Sequence, residues 1–298
     1  MQYSFTVDSL NAGKRLDICL RDVLSLSRSQ ILKNIEHVRV NGEGSKPSYV
    51  VKEGDSVVLS LTPPAAGDIK PEHIPLSIIY EDEAIIVIDK PAGMSSHASD
   101  HEQTGTLVNA LLGYANDFTF FGARARAGIV HRLDKDTSGV IIVGKSAPIV
   151  EKLQLQFAAR TVEKVYYAIV NGTVEHEHGI IDKPIGRHAV YRKKMTVRSD
   201  GKRAVTVYEI AERLKGHTLV KLIPKTGRTH QIRVHLASLR YPIIGDRIYS
   251  KNFSAYNMTG LALSAKRLTI EHPISGNRMT FEADYSAEFK YWLEKLRQ

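Results

Sequence analysis

Residues 127–143 read Ala-Gly-Ile-Val-His-Arg-Leu-Asp-Lys-Asp-Thr-Ser-Gly-Val-Ile-Ile-Val, two apolar runs separated by a short charged segment. No other stretch constrains the fold as strongly. β-Branched residues favour extended backbone, and the charged segment ends in Thr137-Ser138-Gly139, so the pattern predicts strand, exposed turn, strand. Asp134 then sits in the turn, flanked by His131 and Arg132, and is offered to whatever docks on the sheet edge. Short polar loops on rigid flanks are where chemistry is usually carried.

On the N-terminal side, Met1 to Val7 alternates weakly and predicts an edge strand. Leu16, Leu20, Val23 and Leu24 fall on one face of a helix over Arg15 to Leu24. Ser27-Arg28-Ser29-Gln30 has the form of a capping box opening a second helix, ahead of the apolar Ile31, Leu32 and Ile35. Val38 to Val40 reads as a strand entering an Asn41-Gly42 turn, and Gly54-Asp55 introduces another over Val57 to Leu61. Residues 1–62 therefore predict a small α/β module. Pro63, Pro64, Gly67, Pro71 and Pro75 interrupt any periodicity, so 63–75 reads as a linker and 76–298 as the larger domain.

The larger domain opens with a strand pair, Leu76 to Tyr80 and Ala84 to Asp89, followed by a Lys90-Pro91-Ala92-Gly93 turn. Helices are expected over Gly105 to Leu112 and Ser146 to Arg160, the latter with Val150, Leu153 and Phe157 inward. Lys164 to Val170 is an aromatic and β-branched strand in which Tyr166 and Tyr167 must face opposite sides. His217 to Ile223 alternates as a strand, and Thr229 is placed to cap a helix that buries Ile232, Leu236 and Leu239. Residues 261–265 and 272–276 suggest final strands, and Phe289, Trp292, Leu293 and Leu296 a closing helix.

Charge narrows the range of partners. Of a net +9, residues 101–298 carry the excess, with 31 lysines and arginines against 18 acids. Within 186–203, Arg187, Arg192, Lys193, Lys194, Arg198, Lys202 and Arg203 face a single acid, Asp200. Their mutual repulsion is removed by neutralising phosphate, which points to a nucleic acid. The lone Cys19 forms no internal disulfide, and no apolar run approaches the roughly 20 residues that span a bilayer. A cytoplasmic location without membrane contact is expected.

Gly-Ile-Val-His-Arg-Leu-Asp-x-x-Thr-Ser-Gly at 128–139 resembles the signature of the RluA-type RNA pseudouridine synthases. The likeness continues in Asp82-Glu83 through Gly93, in Lys164-x-Tyr166-x-Ala168, in Gly186-Arg187-His188-x-x-x-Arg192-Lys193-Lys194-Met195, in Arg228-Thr229-His230-Gln231-Ile232-Arg233-Val234-His235 and in Pro242 to Tyr249. Ser264 departs from the pattern, standing where members usually have His, and no role is carried over to it. Arg15-Leu16-Asp17, Leu26-Ser27-Arg28-Ser29, Val40-Asn41-Gly42 and Gly54-Asp55 resemble the small RNA-binding domain named after the fourth small-subunit ribosomal protein.

The resemblance implies an α+β fold. A catalytic domain on a large mixed, mainly antiparallel sheet flanked by helices follows a small α/β RNA-binding domain. It implies an isomerase that needs neither cofactor nor metal and acts on RNA, with ribosomal RNA favoured and transfer RNA open; a monomer is expected. Asp134 is the implied catalytic carboxylate, as nucleophile toward sugar or base or as the group removing a sugar proton. Arg233 is its cationic partner, gripping both carboxylate oxygens with its fork, and Tyr166 stacks on the base. Arg132 is the candidate for filling the space left by a flipped base. Arg28, Lys33, Arg39, Arg187, Arg192, Lys193 and Lys194 are the candidate RNA-binding residues. Two rivals are weaker. A metal phosphoesterase on His131, Asp134 and Asp136 lacks a ligand set, because the two acids alternate to opposite faces if extended. A silent RNA binder has no need of Asp134, Tyr166 and Arg233 together.

Overall fold

The computed structural model describes residues 2–9, 11–24, 35–61, 69–98, 102–114, 127–191 and 194–298. The chain forms two compact units, Met1–Asp68 and Ile69–Gln298.

In the first unit β1 (Gln2–Thr6), α1 (Leu16–Leu24), β2 (Ile35–Val40), β3 (Glu43–Gly44) and β4 (Ser56–Leu61) build an antiparallel sheet in the order β1-β4-β2-β3 with a helix on it. Leu16, Cys19 and Leu20 of α1 are buried against Val38, Val40, Val57 and Leu59. Val23, expected on that face, is exposed, because the sheet is already covered by the residues one turn earlier. The expected second helix at Ser27 to Gln30 lies outside the described residues. Ile35, read from the sequence as one of that helix's apolar residues, instead opens β2 opposite Leu61. The turn motifs hold one another: Asn41 accepts the Ser56 N–H and donates to Asp55, whose carboxylate also takes the Lys52 N–H. Those residues are internal wiring and leave Arg39 exposed on β2.

The second unit is built from β5 (Ser77–Glu81), β6 (Ile85–Lys90), α2 (Leu107–Tyr114), β7 (Ser138–Gly144), α3 (Ala147–Ala159) and β8 (Glu163–Asn171). There follow β9 (His178–Asp182), β10 (Ile185–Arg187), β11 (Met195–Val197), β12 (Val205–Leu214), β13 (His217–Pro224) and α4 (Gln231–Ser238). The chain closes with β14 (Leu263–Glu271), β15 (Arg278–Glu282) and α5 (Ala287–Arg297). One nine-stranded sheet runs β5-β6-β7-β14-β8-β13-β12-β9, with β15 also on β14, while β10 and β11 form a separate hairpin. The fold is α+β on a mixed sheet, antiparallel throughout except where β7 meets β14.

Alternation distributes β6 and β7 between two cores. Ile86, Ile88, Ile141 and Val143 pack with α2, and Ile85, Val87, Val140 and Ile142 with Ile149 and Leu153 of α3. At the parallel junction Gly139 is required twice over: its φ is +116°, and a Cβ there would lie 2.2 Å from the Ala265 carbonyl oxygen. Gly139, Ala265, Tyr166 and Leu222 are register partners across β7, β14, β8 and β13.

In the second unit four expectations about strands and connections change. Residues 127–130 do not form a strand; Ala127 and Gly128 turn at φ 41° and 75°, and Ile129 makes one isolated bridge to Val143. The run is apolar because it is buried as a loop on β7. Nor does Asp134 lead into an edge strand, since β7 is flanked by β6 and β14. Residues 69–75, read as linker, pack on α2, where the Glu72 carboxylate receives the Gly105 N–H and the Glu72 N–H donates to the Asn109 carbonyl. Residues 272–276 form the turn between β14 and β15, pinned by a 2.9 Å contact from His272 Nε2 to Asp82.

Candidate active site

Three elements of the second unit converge. The loop before β7 brings Asp134, β8 brings Tyr166, and α4 brings Arg233; all three line one cavity of about 360 Å³. Asp136 does not line it, its charge lying instead near Lys90.

The Asp134 loop is held from below. Ser96 Oγ donates to the Leu133 carbonyl at 3.1 Å, and the Thr137 N–H donates to the Asp134 carbonyl. Lys90 is 0% exposed and spends its ammonium on the carbonyls of Pro91, Met94 and Lys135 at 2.7, 2.7 and 3.1 Å. Burial pulls its pKa down to about 8, with the charges of Asp136 and Asp134 opposing that shift. The sequence offered this lysine only as part of a turn. His131 Nε2 accepts the Ile142 N–H at 3.0 Å and its ring stacks on Phe157. Burial, then the nearby Lys164 and His97, hold His131 well below the usual imidazole range, so it is a neutral strut.

Arg233 is 5% exposed and pairs with two carboxylates. Its Nη1 reaches Asp134 Oδ2 at 3.3 Å, while Nε and Nη2 make a two-point contact with Asp246 at 2.8 and 2.8 Å. The fork expected on Asp134 is thus on Asp246, because only Asp246, thirteen residues along the same segment, presents both oxygens edge-on to it. Asp246 is 0% exposed and also accepts the N–H groups of Ile248 and Tyr249. Burial disfavours the Arg233 charge, but hydrogen bonding and charge from Asp246, then the charge of Asp134, outweigh it and raise the pKa. Asp246 was missed from the sequence. Its signal was an acid directly after Ile243-Ile244-Gly245, since an acid inside an apolar run needs a partner when buried.

Helix α4 is fixed by its own motif. Gln231 accepts from Thr226 Oγ1 and the Arg228 N–H and donates to Val205 O and Thr206 Oγ1. His235 contacts the Lys183 carbonyl through Nε2, which must therefore carry the proton, leaving Nδ1 to accept from Thr206. The N-cap is His230, at φ 54°, and not Thr229. His230 Nδ1 meets the Tyr249 hydroxyl at 2.9 Å; that hydroxyl accepts the Met195 N–H, and the Tyr249 ring lies 5.2 Å from the Arg233 guanidinium.

Tyr166 and Tyr167 do diverge: Tyr166 lines the cavity, and Tyr167 packs edge-on to Tyr285. Burial, helped by the Asp134 charge, pushes the Tyr166 phenol far up, so it keeps its proton at neutral pH. Arg132 is exposed at the cavity wall. Arg187 is exposed at the end of β10, and Lys194 lies 5.5 Å over the Tyr249 ring. Arg39 belongs to the first unit. Arg28, Lys33, Arg192 and Lys193 lie outside the described residues. Ser264 is fully buried beside β7, and its hydroxyl has no hydrogen-bond partner among the described residues.

A neutral phenol, a carboxylate and a fixed guanidinium around one cavity suit a reaction that needs a carboxylate and a proton relay but no change of oxidation state. A model of the family described as RNA pseudouridylate synthase matches residues 84–238. The chain is 43% identical to a protein of Aquifex aeolicus described as an uncharacterized RNA pseudouridine synthase, covering 95% of this chain and 94% of the relative. It is 40% identical to the ribosomal large subunit pseudouridine synthase D of Pseudomonas aeruginosa, covering 96% and 93% respectively. Among solved structures, human RNA pseudouridylate synthase domain containing 4 aligns with a TM-score of 0.60 at 26% identity, over 74% of this chain and 93% of that one.

Proposed function

Since this chain belongs to the RNA pseudouridylate synthase family, we propose that its substrate is large-subunit ribosomal RNA and that Asp134 is the carboxylate that reacts. The protein is an isomerase of RNA uridines. The reaction breaks the bond between uracil N1 and ribose C1′, turns the base and joins its C5 to C1′; the C5 proton is lost and N1 takes one up, so the formula is unchanged. Asp134 acts on sugar or base, and the observation that supports it is its place in the Tyr166 cavity within 3.3 Å of the Arg233 guanidinium. That cation sets a fixed positive charge beside the Asp134 carboxylate. Tyr166, protonated, supplies a ring to stack on uracil and an O–H beside C5. A base in a stack is out of reach, and Arg132 at the rim is suited to occupying the space of a flipped nucleotide.

The ribosomal assignment rests on similarity over nearly the whole chain to the Pseudomonas aeruginosa synthase named for the large subunit. The basic segment holding Arg187, Arg192, Lys193 and Lys194 binds phosphates. The first unit supplies affinity through Arg28, Lys33 and Arg39, the last lying exposed near Lys46 around a shallow hollow. Mapping pseudouridines in RNA from cells with and without the gene tests the assignment. Loss of sites in large-subunit RNA supports it, and loss confined to transfer RNA replaces it.

A further inference from the structure

The catalytic cavity shares a wall with a second cavity of about 490 Å³, and the shared residues include Lys164, Gly227 and Arg228. Arg160 and Lys225 line only the second. Four cations thus face a trough in which, among the described residues, the only acid is Glu163, which is paired with Arg278 and also feels the charge of Lys225. Among the described residues none of the four cations makes an ion pair, and Arg228 spends only its Nε, on the Arg203 carbonyl. Lys164 is the most informative. It precedes Tyr166 by two on β8 and so shares its face of the sheet. It is half-buried, and burial followed by repulsion from Arg160 pulls its pKa down. A cation kept in such a place without a counter-charge is costly unless a ligand brings one.

Gly227 gives a second, independent sign. Its φ is ordinary, and a Cβ there would meet nothing within 4 Å. Nothing in the protein's own packing calls for glycine, yet Gly227 stands at the rim of the catalytic cavity, the trough and the hollow beneath the β10–β11 hairpin. A bare backbone at that junction leaves room for a close approach by a ligand.

We infer that the trough carries the RNA phosphodiester chain next to the reacting uridine, with Lys164 on the phosphate nearest the catalytic cavity, Arg160, Lys225 and Arg228 along its continuation, and the chain passing over Gly227. This rests on RNA being drawn into the Tyr166 cavity as proposed above. The strand then has a cationic bed on both sides of the target, the basic hairpin on one and the trough on the other.

The test uses the full-length protein with unmodified transcripts of large-subunit ribosomal RNA and of transfer RNA. Which transcript is isomerised decides the ribosomal assignment and leaves the trough to be judged on the RNA that reacts. On that RNA, affinity is measured across salt concentrations. Lys164→Gln and the pair Arg160→Gln/Lys225→Gln should each weaken binding about tenfold at low salt and make the slope of log affinity against log salt shallower by about 0.7–0.9 for each phosphate no longer neutralised. Lys164→Arg should restore the slope. Lys215→Gln, in the exposed turn between β12 and β13, should change neither. Gly227→Ala should keep the melting temperature and bind about fivefold more weakly. Wild-type slopes in the Lys164 and Arg160/Lys225 variants, or undiminished affinity in Gly227→Ala, overturn the inference.

Discussion

Asp134 and Asp246 flank the same guanidinium and differ in every other respect. Asp246 is 0% exposed, holds Arg233 at two points and receives two backbone N–H groups; Asp134 is 17% exposed and meets Arg233 at one point, 3.3 Å away. One carboxylate has its lone pairs spent inside the protein, and the other, as the proposed reacting group, has one contact to Arg233 and faces the cavity. A reacting group must change partners during turnover, so its charge is best stabilised by a neighbour anchored elsewhere. Asp246 is that anchor. It neutralises and orients Arg233, so Arg233 can bias Asp134 without being consumed by it.

The comparison breaks most readily at Asp134. Asp134→Asn preserves shape but not charge, and should cut single-turnover isomerisation by at least about 10³-fold while RNA affinity stays within about twofold. Asp136→Asn, outside the cavity, should stay close to wild type. Equal damage from both would place the reacting carboxylate elsewhere.

Arg233→Lys comes next. A lysine has no fork, and its ammonium will be drawn to the buried Asp246, leaving Asp134 unrestrained. Misplacement of about 1 Å costs on the order of a hundredfold in rate, and raising the pH should not recover it. Full recovery at high pH would reduce Arg233 to a charge that only tunes acidity.

Asp246→Asn sharpens the contrast because its effect should be split. Breaking a buried pair from one side costs about 3–5 kcal/mol of stability, so the melting temperature should drop, whereas Asp134→Asn should leave it nearly unchanged. The rate below the transition should fall about tenfold, and less than additively when combined with Arg233→Lys. A normal rate in a destabilised Asp246→Asn protein would make Asp246 purely structural.

The smallest effect concerns the strut under Asp134. His131 is neutral in the fold with its pKa pulled below the unfolded value of about 6.5. Its contribution to stability is therefore whole above about pH 6.5 and declines as pH falls below it, because the unfolded chain takes up a proton that the folded one refuses. His131→Gln still offers an acceptor to the Ile142 N–H but does not titrate, so its melting temperature should decline less between pH 7 and pH 5. Parallel declines would show that His131 is not what makes the Asp134 loop acid-sensitive.

What was legible in the sequence had local causes. Alternation in Lys164 to Val170 sends Tyr166 and Tyr167 to opposite faces whatever surrounds the strand, and contiguous motifs marked Asp134 and Arg233. The apolar residues 127–130 misled because burial, and not strand pairing, is what their composition records, and a buried loop and a buried strand share it. The Ser27 to Gln30 helix signal was equally local, yet Ile35 paired into β2.

The sequence by itself determined the family, through the likeness of the contiguous motifs that carry Asp134, Tyr166 and Arg233, together with the basic excess of the larger part of the chain and most of its strands and helices, which follow from composition and spacing along the chain. Only the tertiary structure decided which acid Arg233 grips, that Lys90 is spent on three carbonyls around the Asp134 loop, and that Lys164 opens onto a second cationic cavity. The reason is that a charge's partner is set by distance in space and by what burial removes, namely water, and neither quantity is written along the chain. Arg233 lies 99 residues from Asp134 and 13 from Asp246 in sequence, but the folded side chain reaches both.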